Sequence, residues 1–90
     1  MSKFIIERTM PGVGESTPQE IKTACQKSNE TLRKMSSNVQ WQQSYVTGDK
    51  LYCVYIAENP EAVQEHAAKS GFPADRIEMV KSIIDPTSAE

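Results

Sequence analysis

The chain holds one histidine, His66, and Cys53 stands thirteen residues before it. An imidazole and a thiol are side chains suited to a borderline divalent metal, and Asp49 adds a carboxylate just ahead of the cysteine. His66, Cys53 and Asp49 are therefore the candidate metal ligands, with His66 first among them. On a helix, the neighbours of His66 four residues away are Ala62 and Ser70, so no chelating pair forms across a turn. Further ligands would have to come from a loop, the sheet or a second subunit. The same imidazole titrates near neutral pH and could move a proton. In that alternative His66 or Tyr45 is the acid/base, with Arg8 and Asp49 close by, as in a small cofactor-independent isomerase or lyase acting on an organic acid or carbonyl compound. Each residue also has a plain structural use. A free cysteine packs as a small hydrophobe, and aspartate suits a tight turn.

The elements that must position these groups are legible in the spacing. KFIIERT (3–9) is rich in β-branched and aromatic residues and reads as a strand, ended by the turn-forming MPGVGES. PGVG lacks the Gly-Lys-Ser/Thr ending of a phosphate loop. Thr17, Pro18 and Glu20 form a capping box with proline in the first turn. Ile21, Ala24, Cys25, Ser28, Leu32 and Met35 follow at helical spacing. NVQWQQSYV (38–46) and KLYCVYIA (50–57) flank a tight turn centred on Gly48-Asp49, which pairs Val46 with Leu51, Tyr45 with Tyr52, Ser44 with Cys53 and Gln43 with Val54. Asn59-Pro60-Glu61 starts a second helix that Gly71 ends, and a last strand is expected within 75–85 before Pro86.

This order, βαββαβ, predicts a single α+β domain over residues 1–90 with a ferredoxin-like fold: a four-stranded antiparallel sheet with both helices on one face, and residues 86–90 a loose tail. In the hairpin, Val39, Trp41, Gln43, Tyr45, Tyr52, Val54 and Ile56 make the more apolar face and are expected under the helices. The face with Gln40, Gln42, Ser44, Val46, Leu51, Cys53 and Tyr55 would then cover itself by homodimerisation.

Composition narrows the partners. Ten basic and twelve acidic residues give a formal net charge of −2, and the basic ones are scattered. That disfavours nucleic acid. The RNA-recognition motif shares the element order, but here Leu51 stands where its glycine belongs and Val54 where an aromatic would stack. No apolar run approaches the roughly 20 residues that span a bilayer. Two cysteines on different elements and no apparent signal peptide point to reduced thiols and a cytoplasmic protein. Ninety residues bury roughly 60 to 65 per cent of the unfolded surface, so association is an expected source of stability.

VQW, SYVTGDKLYCVYIA, EHAAKSGFPADRI and IDPTSAE, in that order, resemble the small bacterial domains catalogued as domain of unknown function 4242, one member of which is described as a nickel-binding protein. The resemblance runs over nearly the whole chain and includes Trp41, Ser44, Tyr45, Asp49, Lys50, Tyr52, Cys53, His66, Gly71, Phe72, Pro73 and Arg76. It implies a ferredoxin-like homodimer that binds nickel at its surface, in sequestration or detoxification. The resulting expectation is a divalent metal (nickel) binding protein, with the acid/base enzyme and a structural dimerisation module as alternatives.

Overall fold

The computed structural model describes residues 1–35 and 38–90. Its elements follow the expected order: β1 (Ser2–Thr9), α1 (Pro18–Lys34), β2 (Val39–Val46), β3 (Lys50–Ala57), α2 (Pro60–Ser70) and β4 (Arg76–Met79). The strands form one antiparallel sheet in the order β2-β3-β1-β4, the ferredoxin-like arrangement. Both helix starts form as their sequences dictate. Thr17 Oγ1 accepts the Glu20 N–H while Glu20 accepts the Thr17 N–H, and Asn59 caps α2 through the Ala62 N–H. Gly71 ends α2 at φ 75, in the left-handed region that glycine enters without cost.

All four predicted hairpin pairs are present. The assignment of faces needs correcting. Between Trp41, opposite Tyr55, and Gln43, opposite Val54, β2 advances two residues while β3 advances one. This bulge changes the phase of β2. Val39 and Trp41 do pack against the core, as expected, but on β3 it is Cys53, Tyr55 and Ala57 that join Phe4, Ile6, Ala62, Val63 and Ala67. Ile5 and Val54 are paired on the opposite face, as are Tyr45 and Tyr52. The face carrying Cys53 is thus the helix-covered one and offers no dimer surface. Both faces of β3 are apolar, so apolar content could not choose between them.

The loop between β1 and α1 is docked on the hairpin turn. Met10 N–H donates to the Asp49 carbonyl at 2.8 Å, Gly12 N–H to the Asp49 carboxylate at 2.9 Å, and Gly14 N–H to the Gly48 carbonyl at 3.0 Å. A Cβ on Gly14 would lie 2.6 Å from the Thr47 carbonyl oxygen, so this approach requires glycine. β4 is shorter than expected. After Met79 the Val80 N–H still donates to the Lys3 carbonyl, and then the chain leaves the ladder with Ile83 and Ile84 exposed. Where a loose tail is expected, Pro86–Ala89 forms an exposed 3-10 turn capped by Asp85.

Candidate functional site

Alternation along β1 turns Phe4, Ile6 and Arg8 inward, and the third of these carries a charge into the core. Arg8 is only 1% exposed. Its Nη1 donates to the Pro73 carbonyl at 2.9 Å and the Phe72 carbonyl at 3.5 Å, and its Nη2 donates to the Tyr55 hydroxyl at 3.4 Å. The Phe72 ring lies under the guanidinium, 5.9 Å from Cζ to the centroid. A buried cation ordinarily has an anionic partner. None of the ion pairs among the described residues includes Arg8.

Tyr55, from β3, passes the contact to α2. Its hydroxyl is 3.1 Å from His66 Nε2, and Ser28 Oγ of α1 is 3.4 Å from the same nitrogen. His66 Nδ1 is buried and has no hydrogen-bond partner among the described residues, whichever nitrogen holds the ring proton. Burial, reinforced by the Arg8 cation, pushes the His66 pKa down to about 4. The ring is therefore neutral at physiological pH. Burial, with the Cys53 thiol next, raises the Tyr55 phenol, and the Arg8 cation works against both. Tyr55 also stays protonated.

Beside this network is a cavity of about 220 Å³ between α1 and the sheet. Its origin is in the helix sequence. Ala24, Cys25 and Ser28 on the inward stripe of α1 are small, and they face Trp41, Leu51 and Tyr55 across the gap. Side chains that short cannot fill the space to the density of a protein interior. Arg8 and Tyr55 line the cavity, and the exposed Glu20 and Val46 stand at its rim. The Glu20 carboxylate is engaged by the Thr17 N–H at the helix start.

The sequence-predicted residues are distributed unevenly around this site. Arg8 and His66 are brought together, joined through Tyr55. Cys53 is 4% exposed and belongs both to the core and to the cavity wall. Asp49 is at the hairpin turn, bonded to Gly12, and Tyr45 is exposed on the other face of the sheet with Gln43 Nε2 donating to its hydroxyl. These two take no part in the cavity. Among the described residues no group of three or more His, Cys, Asp or Glu side chains could hold a metal ion. Sequence reasoning missed Tyr55 and Ser28 as polar members of the site. Ser28 within an otherwise apolar stripe was the available signal, because a buried hydroxyl needs a partner.

Comparison with known proteins agrees with the architecture. The crystal structure of SCO4226 from Streptomyces coelicolor A3(2) matches at a TM-score of 0.76 and 23% identity, covering 92% of this chain and 100% of that one. At that identity the likeness speaks for the fold. No curated protein matches the chain. Among the described residues, no helix is long and apolar enough to cross a membrane. Residues 4–80, from β1 beyond the end of β4, match the family described as nickel responsive protein SCO4226-like, and the chain belongs to that family.

Proposed function

We propose that this protein binds nickel as a homodimer, in sequestration or detoxification, with the ion held at the surface between two copies. The observation that carries this reading is the family match over residues 4–80. His66, Cys53 and Asp49 do not fit nickel as one cluster. His66 Nε2 is occupied by Tyr55 and Ser28, its Nδ1 is sealed in the core, Cys53 is buried, and Asp49, whose Oδ1 accepts the Gly12 N–H, stands apart from them at the hairpin turn. A tightly held borderline cation generally has several protein ligands. Since one copy gathers no three such side chains among its described residues, the nickel site would draw its ligands from two copies, outside the His66–Tyr55 pairing and the Asp49 brace.

The outer face of the sheet supports the homodimer. Ile5, Val54 and Tyr45 share a shallow depression there with Ile83 and Ile84, and among the described residues neither α1 nor α2 contributes to its lining. Tyr45 is 56% exposed, Ile83 71% and Ile84 80%, an apolar group of the kind that subunit contacts cover. Calorimetric titration of reduced, tag-free protein with nickel, with zinc and magnesium as controls, tests the function. Saturable binding at micromolar or tighter affinity, preferring nickel to magnesium, is expected. Heat no greater than dilution would overturn the reading.

A further inference from the structure

We propose that the cavity beneath α1 binds a small monocarboxylic acid with an apolar body of about one ring, its carboxylate held by Arg8. This goes beyond the nickel reading and does not depend on it.

The first argument is charge. Arg8 is 1% exposed, and among the described residues its hydrogen-bond partners are two backbone carbonyls and a phenol, all neutral. The acid nearest to it in the cavity wall, Glu20, is turned to the Thr17 N–H at the rim, and none of the ion pairs among the described residues includes Arg8. A guanidinium presents five N–H donors in a planar fork that matches a carboxylate. Its charge is the feature of the wall that discriminates between ligands, because Met10, Val13, Ile21, Leu51 and Phe72 make most of the remainder apolar. A ligand with one anionic end and an apolar body complements both.

The second argument is size. An apolar cavity of about 150 Å³ admits benzene. The cavity here is about 220 Å³, which leaves room for a carboxylate on such a ring. Three small side chains of α1 create this volume opposite bulky ones on the sheet, so the space is built into the helix packing. The apolar body would rest against Trp41, the chain's one tryptophan, which supplies an internal reporter.

The test is a titration of the full chain with benzoate, followed by Trp41 fluorescence and calorimetry, with benzamide as a neutral control of nearly the same shape. Benzoate is expected to saturate and to bind at least tenfold more tightly than benzamide. Cys25→Phe, which fills the cavity from the helix side and leaves Arg8 in place, is expected to weaken benzoate at least tenfold. Arg8→Lys retains the charge without the fork and is expected to retain the preference for the acid with lower affinity. Equal affinity for benzoate and benzamide would overturn the role of Arg8. No saturation by benzoate up to millimolar concentration, or unchanged binding by a folded Cys25→Phe protein, would overturn the site. Nickel titrations of the same preparations report separately on the metal reading.

Discussion

The hydroxyl of Tyr55 and Nε2 of His66 lie 3.1 Å apart inside the core, with Arg8 Nη2 3.4 Å from the same hydroxyl. This pairing holds the only histidine against the sheet, away from solvent. It also sets how the protein responds to acid.

The His66 pKa falls from an ordinary 6.5 to about 4 in the folded protein, so below pH 6.5 the unfolded chain binds more protons than the folded one. Stability is complete above about pH 6.5 and falls as the pH drops through the window to about 4. The slope from this group is on the order of 1 kcal/mol per pH unit. Urea unfolding at pH 7, 6 and 5 should show the loss, and His66→Gln should flatten it. An unchanged slope in that variant would mean that another group carries the acid response.

His66→Ala removes a buried ring and leaves the Tyr55 hydroxyl without its α2 partner. We expect a loss of roughly 2 to 4 kcal/mol in unfolding free energy from the cavity and the broken hydrogen bond. The nickel isotherm of the folded variant should be unchanged. A large fall in nickel affinity in a protein of native stability would restore His66 as a ligand.

The homodimer is expected on the outer face. Light scattering at micromolar concentration should give twice the chain mass, and Ile83→Asp with Ile84→Asp should give the single-chain mass. Cys53→Ala should leave the mass unchanged and reduce stability by about 1 to 2 kcal/mol, since the thiol packs in the core. Dissociation by the cysteine variant alone would contradict the placement of the interface.

Asp49→Ala should lower stability by about 1 kcal/mol through loss of the bond to the Gly12 N–H, with nickel affinity unaffected. Gly14→Ala should cost more, because its Cβ meets the Thr47 carbonyl and not a movable side chain. Chemical denaturation of both variants, with a nickel titration of the first, checks the reading of this loop as a structural brace.

What could be read from the chain follows the range over which each interaction acts. Thr17, Glu20, Asn59 and Gly71 mark helix ends by local chemistry, and the Gly48-Asp49 turn fixed the hairpin register from its own length. The bulge at Gln42 left no comparable mark, and both faces of β3 are apolar, so the choice of buried face depended on contacts with Phe4, Ile6 and Val63 that are distant in sequence. The same reason hid the polar site. Arg8, Ser28, Tyr55 and His66 come from four different elements, and nothing in the spacing of any one of them announces the other three.

The small stripe on α1 separates two properties that binding sites often entangle. Volume is set by Ala24, Cys25 and Ser28 on a helix, and charge by Arg8 on a strand. A change of one or two helix residues can therefore retune the size of the accepted molecule while the sheet keeps its ladder, its arginine and its register. The scaffold offers an easy route to divergent selectivity: alter the helix, keep the anchor.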